Sequence, residues 1–244
     1  MHLRVSFHSL LLLCFLGIFT ACDILGDSPC LEGDGQSKTE ARAVPSFTGV
    51  DMRIAGNVYV TAGPKAEVKV ESFANLLPEI VTELEGSTLV IRSESCLEYS
   101  DEETTVYITL PDIEYAELQS SGQMRIQAVP SSKGLKIRLT GSGTVRYLGS
   151  TNRIQVTHTS SGDVDLDGFV SHLETTLTGS GKILGYSLRA DTVEAKSTGS
   201  GHQQIWVDKV LEATVNGSGN IYYRGSPSLV STFTTGWGKV LQDD

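Results

Sequence analysis

The clearest metal-binding pattern in the chain is three alternating aspartates followed by a glycine and a later glutamate. Asp163, Asp165 and Asp167 precede Gly168, and Glu174 occupies place twelve when Asp163 is place one. This spacing matches the EF-hand loop, whose carboxylate oxygens hold Ca²⁺. An EF-hand loop lies between two helices, whereas this segment alternates polar and apolar residues as a strand does. We therefore expect the acids to form a charged surface ladder, with a weak calcium site as the alternative.

Residues that could act as nucleophiles or general bases do not come together in the sequence. His158 stands at a strand position that neighbouring repeats fill with Leu139 and Leu177, which predicts a buried histidine with one or two hydrogen bonds. His172 and His202 fall where exposed residues are expected. The serines lie in glycine-rich turns without an adjacent base. These patterns predict a protein that is not an enzyme and needs no cofactor.

The alternative to a non-enzymatic protein is a β-helix enzyme that acts on polysaccharides. Such an enzyme would collect carboxylates or basic residues in one groove. The outward positions three places after each repeated glycine instead alternate in charge and then become neutral: Arg125, Arg146, Asp165, Leu184, Gln204 and Tyr222. We therefore rank an enzyme below a binding protein.

The serines belong to a triplet of a small residue, Ser and Gly that occurs six times. The closing glycines are 18 to 21 residues apart. They are Gly122, Gly143, Gly162, Gly181, Gly201 and Gly219. A period near twenty residues with strand-like residues between turns indicates a stacked repeat.

Each repeat is predicted to be two short strands joined by the triplet, with one side of each strand in the core. Two strands of about five residues cannot bury their apolar sides alone, so successive copies must stack at roughly 4.8 Å. Stacking in register predicts an all-β parallel β-helix with coils of about twenty residues. The glycines suit a corner that needs positive φ or has no room for a Cβ. An antiparallel β-sandwich is the alternative fold.

A degenerate seventh triplet follows the last regular repeat. Trp237 replaces its serine, between Gly236 and Gly238. We expect this bulky side chain to close the exposed end of the core. A platform for ligand stacking is the alternative role.

The N-terminal residues predict export. A charged start with Arg4, an apolar run over residues 10–19 and Ala21 before Cys22 resemble a bacterial lipoprotein signal, with Cys22 as the lipidated first residue of the mature chain. A plain signal peptide is the alternative.

The predicted organisation is a signal peptide at 1–21, a flexible tether at 22–44, an N-terminal β region with the first coils at 45–111, and the repeat β-helix with a C-terminal cap at 112–244.

Two further cysteines and the net charge restrict the compartment and the partners. Cys30 and Cys96 would meet oxidising conditions after export, so we expect them to pair, with two buried thiols as the alternative. The net charge of −10 becomes −11 if residues 1–21, whose only charged residue is Arg4, are removed. So acidic a surface repels phosphate backbones, which argues against nucleic acid as a partner.

Several segments resemble one known family. They are the triplets, Ser46-Phe47-Thr48-Gly49-Val50, Asn75-Leu76-Leu77-Pro78 and the strands around Gly86-Ser87. Together they resemble the putative autotransporter adhesin head GIN domain family (DUF2807) of Bacteroidetes, over roughly residues 40–240. The resemblance implies a right-handed β-helix, adhesion as the role, and no family set of catalytic residues.

These observations predict a non-enzymatic lipoprotein of the cell envelope that acts as an adhesin or other surface-binding β-helix. Its contact with the membrane would be the lipid anchor in the outer membrane, on either the surface or the periplasmic side. The expected partner is a glycan or a host or envelope protein, and an oligomer is compatible with the repeat. A periplasmic structural or assembly protein is the alternative function.

Overall fold

The computed structural model describes residues 30–98 and 104–244, and no helix is present within these ranges. Accordingly, no described segment forms a helix suited to crossing a membrane. The seventeen strands are β1 (Ser37–Arg42), β2 (Gly49–Met52), β3 (Asn57–Ala62), β4 (Glu67–Phe73), β5 (Ile80–Glu85), β6 (Thr88–Ser93), β7 (Thr105–Leu110), β8 (Tyr115–Leu118), β9 (Gln123–Gln127), β10 (Leu135–Leu139), β11 (Thr144–His158), β12 (Asp163–Leu177), β13 (Lys182–Ser197), β14 (His202–Val215), β15 (Ile221–Arg224), β16 (Leu229–Thr234) and β17 (Val240–Gln242).

The strands stack into two sheets that enclose one apolar core. Sheet A contains β6, β2, β8, β10, the second halves of β11 to β14, and β16. Sheet B contains β7, β3, β9, the first halves of β11 to β14, β15 and β17. Alternate side chains are buried along each strand, as in β10, where the leucines and isoleucine point inward and the lysine and arginine outward.

The repeats pair in parallel and in register, which confirms the predicted parallel β-helix and excludes the sandwich. Val145 lies beside Val164, and Val164 beside Ile183, all with fully buried side chains. Identical inward positions therefore stack from coil to coil, and the apolar residues form a single cluster from Phe47 to Ile221. The predicted N-terminal β region and the repeat region share this core.

The stacking order differs from the chain order near the N-terminus. β2 lies between β6 and β8, and β3 lies between β7 and β9. The first coil in the sequence is thus the second in the stack, because the chain leaves it to build β4 to β7 and then returns on the other side. β4 and β5 are antiparallel to their neighbours β7 and β6.

The closing glycines of the triplets form a ladder at the corner where sheet A continues into sheet B. Of the two reasons expected for glycine here, positive φ is wrong, because the positive-φ glycines in the described ranges lie elsewhere. Lack of space is the reason that holds. A Cβ on Gly181 would overlap the carbonyl oxygen of Gly162 and lie 2.6 Å from Nε2 of His158. Stacked backbones approach too closely at this corner for a side chain.

Part of the predicted flexible tether is a strand. β1 falls within residues 22–44 and pairs antiparallel with β4, from Ser37 beside Phe73 to Arg42 beside Val68. Leu31 also forms a bridge with Leu97. The tether prediction is therefore wrong for these residues. The prediction relied on the low apolar content of this segment. An edge strand with exposed side chains has little apolar periodicity and therefore looks like a tether in the sequence.

The expected closing role of Trp237 is also wrong. Its side chain is 93% exposed and lies outside the core. The serine position of each triplet faces solvent, so a tryptophan placed there projects outward and cannot cover the end of the stack.

Candidate functional site

The calcium pattern is divided between the two sheets. Asp163, Asp165 and Asp167 lie on the outer side of sheet B, whereas Glu174 lies on sheet A beyond the bend at Gly168. Arg146 approaches Asp165 at 3.6 Å, and Arg153 approaches Glu174 at 3.0 Å. No group of three or more acids, histidines or cysteines in the described ranges could hold a metal ion. The arrangement is the charged surface ladder expected from the strand pattern.

His158 lies in the core at the corner of the stack. Its side chain is fully buried between the leucines of the neighbouring coils, Leu139 and Leu177. The backbone N–H of Ser160 donates to Nδ1 at 3.3 Å, and Nε2 lies 2.6 Å from the carbonyl oxygen of Gly162. Burial lowers the pKa of the imidazole. A neutral ring protonated on Nε2 satisfies both contacts, so His158 is a structural residue.

The predicted export residues are only partly within the described ranges. Cys22, the predicted lipidation site, lies outside them. Cys30 and Cys96 are joined by a disulfide with Cα atoms 4.5 Å apart. The bridge ties the segment before β1 to the segment after β6, at the N-terminal end of the stack.

The most unusual outward surface is a ladder of two tyrosines and two arginines on sheet B. Tyr107, Tyr59, Arg125 and Arg146 occupy equivalent positions on β7, β3, β9 and β11. The tyrosine rings are stacked with centroids 5.7 Å apart and planes 15° from parallel. The guanidinium of Arg125 lies 5.8 Å from the centroid of Tyr59, within cation–π range. We call these four residues the tyrosine–arginine ladder, and the outer side of sheet B that carries it face B.

The two arginines of the ladder are direct cross-strand neighbours. Arg125 and Arg146 are paired in the register of β9 and β11. Like charges opposite each other on neighbouring strands destabilise a sheet. Arg146 has Asp165 on its far side, whereas Arg125 makes no ion pair with a described carboxylate and donates to Gln123 at 2.9 Å. Arg125 is therefore a cationic group without a carboxylate partner among the described residues, on a face where Asp165 and Asp167 also lie.

A groove of about 340 Å³ runs beside these arginines on face B. Polar side chains along it are Arg125, Gln127, Arg146, Asp165, Asp167 and Ser187. Leu148, which is 43% exposed, adds an apolar patch to its lining. A second groove of about 110 Å³ lies beside Tyr59 and Tyr107, between β3, β7 and β4. Because β3 and β9 are adjacent, the two grooves follow each other along one face.

Contacts around the tyrosines hold them in place. The hydroxyl of Tyr107 donates to Glu71 on β4 at 3.1 Å. Partial burial raises the pKa of Tyr107, and the hydrogen bond to Glu71 raises it further, so the hydroxyl stays protonated. A stacked aromatic pair, two guanidiniums and several hydroxyl or amide groups on a rigid sheet can bind a polar ligand. They contain no nucleophile with an adjacent base.

Only half of this ladder is visible in the sequence. Arg125 and Arg146 stand in one repeat column, whose charges alternate along the series. Tyr59 and Tyr107 were missed because strands inserted out of chain order extend the column. The available signal was Gly56, since Tyr59 stands three places after it, as Arg125 does after Gly122.

The family model of the putative auto-transporter adhesin, head GIN domain (DUF2807), matches residues 46–227. The chain belongs to this family. No functionally curated protein matches it. The head GIN domain match covers all six triplets, the tyrosine–arginine ladder and both grooves.

Three solved structures from Bacteroides and Parabacteroides species have the same fold. A putative adhesin from Bacteroides fragilis NCTC 9343 has a TM-score of 0.70 at 22% identity, covering 87% of this chain and 100% of that chain. A putative lipid binding protein from Parabacteroides distasonis ATCC 8503 has a TM-score of 0.64 at 20% identity, covering 88% and 99%. A putative adhesin from Parabacteroides merdae ATCC 43184 has a TM-score of 0.61 at 17% identity, covering 89% and 100%. At these identities the likeness concerns the fold.

Proposed function

We propose that the mature chain is a surface-exposed lipoprotein, anchored in the outer membrane through Cys22, whose face B binds an acidic glycan without transforming it. Its membership of an adhesin family supports a role at the cell surface or envelope. The lipoprotein-type N-terminus supports the anchor, and the disulfide between Cys30 and Cys96 fits an oxidising compartment.

The observation that carries the choice of ligand is the like-charged pair of Arg125 and Arg146 beside the groove. Two neighbouring guanidiniums offer bidentate donors for carboxylate or sulfate groups, and a bound anion would relieve their repulsion. Gln127 and Ser187 can hydrogen-bond sugar hydroxyls. The face is continuous over several strands, which suits a chain of sugar units better than a single small molecule.

The placement of the carboxylates favours binding of a glycan over its hydrolysis. Asp165 and Asp167 both line the groove, but they lie on one strand, and Asp165 faces Arg146 at 3.6 Å. Glycoside hydrolases place two carboxylates on opposite sides of the scissile bond. This groove offers its acids from one side only.

The ligand class is tested by comparing the binding of two oligosaccharides of equal length, one made of uronic acids and one neutral. We expect the acidic oligosaccharide to bind, its affinity to fall as salt is added, and its length to stay unchanged during incubation. Equal binding of the neutral oligosaccharide, or no binding of the acidic one, would contradict the ligand class. Shortening of the oligosaccharide would instead support the enzyme alternative.

Proteinase treatment of intact and lysed cells tests the location. A surface lipoprotein is degraded in intact cells. Survival in intact cells followed by degradation after lysis would place the chain in the periplasm and favour the structural or assembly alternative.

A further inference from the structure

The two ends of the β-helix differ in how their edge strands are covered. At the C-terminal end, β16 pairs only with β14 and β17 only with β15, so no described strand covers their outer edges. All six residues of β16 are exposed. Unpaired N–H and C=O groups on such edges can accept another strand.

The C-terminal end also exposes an apolar surface. Phe233, on the last strand of sheet A, is 62% exposed. The other large apolar side chains exposed there are Leu229, Val230 and Leu241. Val230 continues the inward column of Leu211, so its exposure shows that the core itself reaches solvent at this end. We call Leu229, Val230, Phe233 and Leu241 the end patch.

The opposite end carries features that prevent strand pairing. Its edge strands are β1 and β5. Lys38, Glu40 and Arg42 lie on β1, and Glu83 and Glu85 lie on β5. Charged residues on an edge strand disfavour pairing with another chain. β16 and β17, with the sequences LVSTFT and VLQ, contain no charged residue.

We propose that the end patch binds a second copy of this chain, tail to tail. The unpaired edges of β16 and β17 and the exposed core at Val230 supply this contact, and Leu229 and Phe233 flank it on the outer side of sheet A. A two-fold axis through the centres of β16 and β17 pairs each strand antiparallel with its own copy and joins the two cores. Uncharged edges permit this contact, because it brings no like charges together.

The charged edge strands at the N-terminal end, β1 and β5, explain why the assembly stops at a dimer. A head-to-tail contact would place β16 against β1 or β5 and could continue into a filament. The charges on β1 and β5 oppose that contact. The two-fold arrangement keeps both copies of face B on the same side, so a multivalent ligand would contact two sites at once.

Sedimentation equilibrium of the mature chain, prepared with Cys22→Ser so that it carries no lipid, tests the proposal. We expect twice the mass of one chain, with dissociation on dilution. Phe233→Lys places a charge at the two-fold contact and should weaken association by about 100-fold or more. Phe169→Lys is the matched control, since Phe169 is 42% exposed on β12, away from the end. It should leave the dimer unchanged.

A cysteine near the centre of β16 provides a second readout. Ser231→Cys should form a disulfide between two copies under mild oxidation, because the two-fold axis brings equivalent residues of β16 together. A monomeric wild-type chain at all concentrations would overturn the proposal. So would a dimer that persists in Phe233→Lys, or one that Ser231→Cys does not link.

Discussion

The outer sides of the two sheets use charge differently. On sheet A, basic side chains face carboxylates of neighbouring strands: Arg138 lies 3.4 Å from Glu117, and Arg153 lies 3.0 Å from Glu174. On face B, Arg125 lies beside Arg146. The same repeat therefore supports one face where these arginines are paired with carboxylates and one where Arg125 has no carboxylate partner among the described residues. Architecture sets the spacing of the columns, and the residues in each column decide what a face can bind.

The largest expected effect comes from the corner that joins the two sheets. Gly181→Val should lower the free energy of unfolding by about 3 kcal/mol or more, because the new side chain overlaps the backbone of the preceding coil. Denaturant unfolding measures this loss. Ser180→Val is the matched control, since Ser180 is exposed in the same triplet, and it should change stability by about 0.5 kcal/mol or less.

The Gly181 variant also tests whether the two faces depend on each other. One core predicts a single unfolding transition for both sheets. Loss of one sheet with retention of the other would show that the faces are independently stable. An unchanged unfolding midpoint in Gly181→Val would contradict the close approach at the corner.

Carboxylates on the two sides should differ in their contribution to stability. On sheet A, Asp51 is only 4% exposed and accepts hydrogen bonds from Arg53 at 2.7 Å and from Gln119 at 3.0 Å. Asp51→Ala should cost about 2 kcal/mol, because Gln119 and Arg53 lose a hydrogen-bond acceptor while Arg53 keeps Glu85 at 2.9 Å. Asp165→Ala on face B removes an exposed pair and should cost less than about 0.5 kcal/mol. Denaturant unfolding measures both losses of unfolding free energy. Equal losses in the two variants would show that Asp51 and Asp165 contribute alike to stability.

A smaller, pH-dependent effect is expected from His158 at the corner. Burial lowers the pKa of its imidazole in the folded state, so below pH 6.5 the unfolded chain binds the proton more readily. Stability should therefore be complete above pH 6.5 and fall as the pH decreases, by up to about 1.4 kcal/mol per pH unit. His158→Leu, which matches the leucines of the adjacent coils, should remove this slope. If His158→Leu shows the same dependence of stability on pH, groups other than His158 cause that dependence.

The fold was predictable from the sequence because the closing glycines keep their spacing. Each glycine marks a place where two backbones meet, and the columns between the glycines carry the buried residues. The insertion of β2 and β3 between later strands was not predictable, because the interrupted segment has no triplet of its own to set its position in the stack.

The candidate site was less predictable for the same reason. Its arginines lie inside the repeat, but Tyr59 and Tyr107 join them only through the changed stacking order. The edge strand β1 was missed because exposed strands lack the alternation that marks buried ones. Trp237 was misplaced because a large apolar residue suggests burial, whereas the position it occupies faces solvent.

The most direct test of face B is an equilibrium titration of the acidic oligosaccharide with two double variants. Arg125→Ala with Arg146→Ala removes the pair on face B, and Arg138→Ala with Arg153→Ala removes two arginines from sheet A. The side chains of Arg138, Arg146 and Arg153 are similarly exposed, at 51%, 52% and 57%, so these changes are matched. We predict at least a roughly 10-fold loss of affinity for the face B variant, equivalent to about 1.4 kcal/mol, and less than about a two-fold change for the sheet A variant. Equal losses in both variants, or a loss confined to the sheet A variant, would contradict face B as the binding surface.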